Sequence, residues 1–484
     1  MRILGAVDPA RLLAIVRRRS HGNLWLSIGL ALAIGGAAPA QAQETIWRRP
    51  PPAHVIGRRP VVFPPPVYVR PVFGVPDVYV EPQTAPPAYV PPPSVRAPAH
   101  RRLPPRALVR ALPPPPGETR FRRGEVLVET SLATPPAILA AIARRHRLIE
   151  TDVATIGLLG VSVQLWRIPD SRDAAAVVRE LGGERAAATV QPNYLYALQQ
   201  ATASSVDAPP PLQYALDKLR VDAALAAAAK DPVRVAVIDT AIDETHPDLV
   251  GAIEARFDAI GGATPPRALD HGTAIAGAIA ARGRLKGVDP NVRILSARAF
   301  DGDGASELGT TLSLLKAIDW AVRQQAKIVN MSFAGPPDPA LRDIVAAAIG
   351  KGLTLVAAAG NAGPQASPLY PAADDGVIAV TATDADDRRY EKANVGRYIA
   401  VAAPGVDVLL PAPQGSYAVE TGTSVSAALV SGVAALLVAL RPQAAPAQVR
   451  SWLVVTAAPL GRGRESEFGA GLVNARGAAD AALR

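Results

Sequence analysis

Two kinds of apolar pattern divide this chain. Between residues 120 and 199 the apolar runs are short and change period often. Gly124–Glu129 predicts a strand, and Pro136–Arg145, with apolar residues at helical spacing, predicts a helix. Strands follow around Leu148–Thr151 and Val161–Arg167, then a helix over Asp173–Leu181 and a strand over Ala188–Leu198. The order β-α-β-β-α-β predicts a small α+β domain of split-βαβ type. From residue 212 the runs become uninterrupted and β-branched: Val233–Ile238, Val292–Ala297, Lys327–Met331, Leu353–Ala357, Val377–Thr381 and Tyr398–Ala402. Helical patterns such as Leu312–Gln324 and Pro339–Ile349 separate them. Strands that are apolar on both faces and alternate with helices predict an α/β domain, with a doubly wound, mainly parallel sheet, over residues 212–484. Its last long pattern starts among small residues at Gly422-Thr423-Ser424, runs through Val433–Leu440, and is stopped by Arg441-Pro442.

The first 119 residues read differently. Arg11, Arg17, Arg18 and Arg19 precede the apolar run Leu24–Ile34, and small residues lead to Ala40-Gln41-Ala42. That is the pattern of an export signal over residues 1–42, with an apolar run shorter than the roughly 20 residues of a membrane span. Once it is cleaved, no stable transmembrane span is expected, and the protein is expected in a periplasm or outside the cell. Residues 43–119 form a low-complexity spacer; 22 of the 48 prolines fall in residues 50–116. Such a stretch favours polyproline II and builds no packed core, so it is expected to be disordered. Residues 200–211 read as a linker. The charge of +9 is unevenly placed, because residues 215–484 carry 26 basic and 28 acidic side chains. A nucleic-acid partner for the α/β domain is therefore not expected. The absence of cysteine excludes disulfides, a thiol nucleophile and thiolate metal sites.

Chemistry gathers at the ends of the predicted strands, where open α/β sheets place their sites. Ser424 begins a buried helix, whose free N–H groups and dipole suit a nucleophile and a developing oxyanion. A serine nucleophile needs a histidine base, and the base needs a buried carboxylate to orient it. Only His246 and His271 lie in the α/β domain. His271, in Asp270-His271-Gly272-Thr273, opens a small-residue helix and is the preferred base; His246, in Thr245-His246-Pro247-Asp248, sits in a turn and reads as structural. Asp239 ends the strand Val233–Ile238 and supplies the carboxylate. Asn361, between glycines after Leu353–Ala357, supplies a neutral amide donor for the oxyanion.

With these pieces, residues 212–484 resemble the subtilisin family of serine peptidases. The likeness is carried by Val237-Ile238-Asp239-Thr240, His246-Pro247-Asp248-Leu249, His271-Gly272-Thr273, Asn330-Met331-Ser332, Gly360-Asn361 and Gly422-Thr423-Ser424, in the order Asp, His, Ser. The resemblance implies a serine endopeptidase acting on polypeptides. A peptide is expected to pair as a strand with Ser332-Phe333-Ala334-Gly335, and with a second edge in the loop Gly302–Ser306 at Gly304. It further implies that residues 120–199, ending in Gln191-Pro192-Asn193-Tyr194, are a propeptide-like inhibitor bound in cis, with autoprocessing between about Ala197 and Leu212. Three departures stand out. Ala241 and Ala428 replace the family's usual Gly and Pro. Ala281–Pro290 lacks the Asn-rich loop that binds calcium in subtilisin. No cofactor is expected and no metal at that loop, where Asp248 would be one ligand; a structural calcium elsewhere stays open. Two rivals also stay open: a peptidase-like binding or envelope-organising module worked by its proline-rich arm, and an acyl hydrolase of other specificity.

Overall fold

The computed structural model describes residues 110–199, 213–222, 225, 231–261, 268–302 and 307–484. The export signal, the linker 200–211 and Gly304 lie outside the described residues, as does the spacer up to residue 109. Within the stretch assigned to the spacer, β1 (Arg110–Ala111) is paired parallel with a later strand through Thr189 and Val190.

The small domain follows the expected order. It contains β2 (Phe121–Ser131), α1 (Pro136–Arg145), β3 (Ile149–Ile156), β4 (Val161–Arg167), α2 (Ala174–Leu181) and β5 (Ala187–Leu198). The strands lie in the order β3-β4-β2-β5 with antiparallel neighbours. Side chains alternate across a strand, so the two faces of this sheet differ. Val126, Val128 and Trp166 pack under α1 and α2 with Leu139, Ile142, Val177 and Leu181. Leu127, Ile156, Val161 and Val163 face the other way, into a core shared with the large domain.

The large domain begins with α3 (Tyr214–Leu219), β6 (Arg234–Asp239), β7 (Ile253–Asp258), α4 (Asp270–Ala280), β8 (Arg293–Arg298) and β9 (Phe300–Asp301). It continues with β10 (Leu308–Thr310), α5 (Thr311–Arg323), β11 (Ile328–Met331), β12 (Phe333–Ala334), α6 (Pro339–Gly350), β13 (Thr354–Ala358), β14 (Ile378–Thr383) and β15 (Ile399–Pro404). A hairpin of β16 (Val408–Ala412) and β17 (Ser416–Glu420) leads into α7 (Thr423–Leu440). Seven strands form one wholly parallel sheet, in the order β15-β14-β13-β11-β6-β8-β7. This is the doubly wound α/β architecture that the continuous apolar runs predict. The edge strand β7 went unpredicted: Ile253-Glu254-Ala255-Arg256-Phe257-Asp258 alternates between half-buried and exposed positions, unlike the strands inside the sheet.

Helix α7 is the spine of this domain. Among the described residues it is the one helix long and apolar enough to cross a membrane, yet 89% of it is buried inside the fold. Its Ala and Val side chains pack against α4 and against Val235, Val237, Ile328 and Val356 of the sheet. Small residues make that approach close. A Cβ at Gly432 would fall 2.5 Å from Val288 Cβ.

Candidate active site

Three neighbouring parallel strands deliver the polar groups. β6 ends at Asp239, β11 carries Asn330, and β13 leads into Gly360-Asn361. α4 places His271 in its first turn, and α7 places Ser424 as its second residue. Asp239, His271 and Ser424 are all essentially inaccessible to solvent.

Asp239 holds the imidazole from one side. Its two carboxylate oxygens lie 2.7 and 2.9 Å from His271 Nδ1, and Oδ1 also accepts the Thr240 N–H at 2.7 Å. Nδ1–H therefore donates to the carboxylate, which leaves Nε2 as the basic nitrogen. Burial alone pulls His271 down, but the charge of Asp239 and its hydrogen bond more than reverse this, so the imidazole titrates above its ordinary value. Glu307 and Glu420 push in the same direction. His271 Nε2 and Ser424 Oγ are both buried and make no hydrogen bond, with each other or with any other described group.

His271 is set by close backbone packing. Gly272 N–H donates to Thr240 Oγ1 at 2.9 Å, and a Cβ at Gly272 would lie 2.6 Å from Ala241 O. Ala241 itself is not one of the six described non-glycine residues with positive φ, so the methyl that replaces the family's usual glycine causes no backbone strain.

On the other side, Thr423 fixes the Asn361 amide. Asn361 Oδ1 accepts from Thr423 N–H at 3.2 Å and from its hydroxyl at 2.8 Å, so Nδ2 must point the opposite way. There it donates to the carbonyl oxygen of Gln199 at 2.6 Å, and Ser424 N–H donates to the same oxygen at 3.3 Å. One backbone N–H and one neutral amide thus converge on a single peptide carbonyl. The start of α7 is braced from below: Ser332 Oγ donates to Ser424 O at 3.0 Å, Asn330 Nδ2 donates to Ser332 Oγ at 2.9 Å, and Ser431 Oγ donates to Asn330 Oδ1 at 2.9 Å. Ser426 Oγ reaches the carbonyls of Ala403 and Pro404 at 3.0 Å.

The carbonyl in that cradle belongs to this chain's own strand. The tail of β5 pairs antiparallel with β12 (Phe333↔Leu198, Ala334↔Ala197), and Gln199 N–H donates to Ser332 O at 3.0 Å. Its other edge pairs with β10 (Leu308↔Ala197, Gly309↔Tyr196, Thr310↔Leu195). Ser332, Phe333 and Ala334 thus form one rail along the β5 tail. Leu308–Thr310 form a rail on its other side; of the loop Gly302–Ser306 expected there, residues 303–306 lie outside the described residues. Gly335 lies beneath Tyr196, where a Cβ would approach the ring to 2.4 Å.

Of the remaining sequence assignments, His246 is buried in a structural role. Its Nε2–H donates to Ser416 O at 2.9 Å, and Nδ1 accepts from Asp248 N–H at 3.1 Å. Ala428 is fully buried in α7. Asp248 is buried and holds the turn that follows α4. Its oxygens accept the N–H groups of Arg284 and Leu285 at 2.6 and 2.9 Å, and among the described residues no cluster of three or more His, Asp or Glu side chains surrounds it. Sequence reasoning missed Thr423 as the group that orients Asn361; its place between the glycine and the serine was the available signal. It also missed Asp338, which caps α6 through the N–H groups of Ala340 and Leu341 at 3.0 and 3.2 Å. An acid one residue before Pro339 marks a helix start in the sequence, and nothing more.

Residues 230–471, half of the chain, match the profile of the Subtilase family. Subtilisin NAT of Bacillus subtilis subsp. natto is 36% identical over 256 residues, covering 51% of this chain and 65% of that protein. Subtilisin DY of Bacillus licheniformis is 36% identical over 254 residues, covering 51% of this chain and 90% of that protein. Among solved structures, fervidolysin from Fervidobacterium pennivorans, a keratinolytic enzyme related to subtilisin, superposes with a TM-score of 0.64 at 25% identity, over 77% of this chain and 62% of that one.

Proposed function

The chain belongs to the subtilase family of serine-type endopeptidases, and we propose that it is an exported member of it, matured by cutting its own chain after Gln199. The observation that carries this reading is the Gln199 carbonyl, held by Asn361 Nδ2 at 2.6 Å and Ser424 N–H at 3.3 Å. Ser424 Oγ attacks that carbonyl carbon while its proton passes to His271 Nε2. The negative charge that forms on the oxygen is met by the two donors already aimed at it. His271 then gives the proton to the departing amine of Gln200, leaving an acyl-enzyme at Gln199. Water, activated by the same imidazole, releases the acid and restores the serine. Asp239 keeps the tautomer and stabilises the imidazolium. Other polypeptides then use the rails β10 and β12 that the tail of β5 occupies. Backbone pairing makes such binding tolerant of sequence.

Residues 120–199 act in this reading as an inhibitor in cis that leaves when cut. Export rests on the Arg-rich start, the apolar run Leu24–Ile34 and Ala40-Gln41-Ala42. The test is N-terminal sequencing of the purified protein beside its Ser424→Ala variant. The wild type is expected to yield a species beginning at Gln200 and to label with a fluorophosphonate. Ser424→Ala is expected to stay full-length from the mature N-terminus. A variant that matures without added protease defeats the proposal.

A further inference from the structure

Tyr196, three residues before Gln199, is 1% exposed and ends on a carboxylate. Its hydroxyl donates to Asp338 Oδ2 at 2.9 Å, its ring meets Phe333 edge-on with centroids 5.9 Å apart, and its flat side lies over Gly335. Asp338 is itself only 3% exposed. It is held by neutral donors: the hydroxyls of Thr311 and Tyr196, the side-chain amide of Gln191, and the N–H groups of Ala340 and Leu341. Burial raises the carboxyl above its usual range, and these donors work against that rise.

Two of the donors, Gln191 and Tyr196, come from the small domain. When that domain leaves, Oδ1 keeps the two amides and Oδ2 keeps Thr311, and one acceptor position on Oδ2 opens into an aromatic slot. A side chain that fills the slot shuts water out from that oxygen, a carboxylate buried short of a donor is costly, and a substrate that supplies the donor avoids that cost. A phenylalanine fills the same slot but leaves the oxygen unmet.

From this geometry we propose that Asp338 makes the slot a tyrosine reader. It accepts a hydrogen bond from the phenol O–H of the fourth residue on the amino side of the cleaved bond, so that tyrosine is favoured there over phenylalanine. The inference rests on the peptidase reading above and adds a specificity determinant to it. Hydrogen bonds to a charged partner support a preference of about ten- to a hundredfold.

The test uses the enzyme matured from the full-length chain and two peptides that differ at one position, Tyr-Ala-Leu-Gln-Gln and Phe-Ala-Leu-Gln-Gln, between identical reporter groups. The expected result is a kcat/KM ratio of at least about ten in favour of tyrosine. Asp338→Asn keeps the helix cap and the shape but offers a neutral, weaker acceptor; its ratio is expected to fall several-fold. Because each ratio is taken within one preparation, a general loss of activity in the variant cancels. Equal cleavage of the two peptides by the wild type overturns the inference and leaves the peptidase reading standing. A high ratio unchanged by Asp338→Asn removes Asp338 from the role. If neither peptide nor an unfolded polypeptide is cut, the peptidase reading falls and this inference falls with it.

Discussion

On one face of the parallel sheet, Val235 and Val237 pack against α4 and α7 in a core made wholly within the large domain. On the other face, Ala236 and Ile238 pack with α5 and α6, and that core runs on into Leu127, Ile156, Tyr194 and Tyr196 of the small domain. Adjacent residues of one strand thus belong to cores of different kinds. The first is closed, and it mounts both His271 and Ser424 on helices that cannot shift without disturbing the sheet. The second is shared with a domain that departs in the proposed maturation. The contrast separates two tasks, holding the catalytic groups still and holding the cleft covered, and assigns each to its own face.

That division is open to test. The largest effect belongs to the closed face. Asp239→Asn keeps the shape but lets His271 adopt the wrong tautomer, and kcat is expected to fall about 10⁴-fold with KM little changed. Asp239 is also what raises His271, so the residual activity should have its acid limb at lower pH, since the base works only when deprotonated and its titration moves down. Steady-state kinetics across pH check both parts; an acid limb at higher pH contradicts the assignment. The shared face should behave otherwise. Tyr194→Ala in the full-length chain removes a ring that is 1% exposed, a loss of about 3 kcal/mol, or about a hundredfold in an equilibrium. The processed small domain should then dissociate faster and inhibit less, while the mature enzyme, which lacks residue 194, keeps its kcat/KM. A variant with unchanged inhibition would show that the second core is not what holds the cover.

The smallest effect sits between the two. Glu307 lies beside the base, and burial pushes its carboxyl up to about 7, with the His271 charge acting to lower it and Asp239 to raise it. Its negative form holds the proton on His271. Glu307→Gln is therefore expected to move the acid limb of kcat/KM to slightly lower pH, with kcat on the plateau changed by less than about threefold. A pH profile decides it, and a shift to higher pH refutes the coupling.

Much of this was legible in the chain because burial leaves a simple mark. Interior strands such as Val235–Ile238 are apolar on both faces, and Asp239 breaks the run at the position where a parallel sheet presents its site. β7 was missed for the complementary reason: an edge strand needs only one apolar side. Gln199 carries no local mark at all. Its place in the cradle follows from the register of β5 against β10 and β12, which is a property of three segments brought together. The pairing of Leu308–Thr310 with β5 went unread because pairing partners, unlike strands, are not written in one stretch. Asp338 is read locally as a cap. Its second role exists only because the fold brings Thr311, Gln191 and Tyr196 to the same carboxylate.

The tail of β5, paired with β10 and β12 of its own chain, also has a consequence for stoichiometry. Before the bond after Gln199 is cut, cover and cleft are made in a ratio of one to one by translation itself. No imbalance of synthesis can leave a cleft bare, and dilution has no effect, because the local concentration of a tethered strand is set by its tether. In the proposed maturation, cutting that bond would turn the same pair into an ordinary equilibrium, and volume alone would begin to favour the open enzyme.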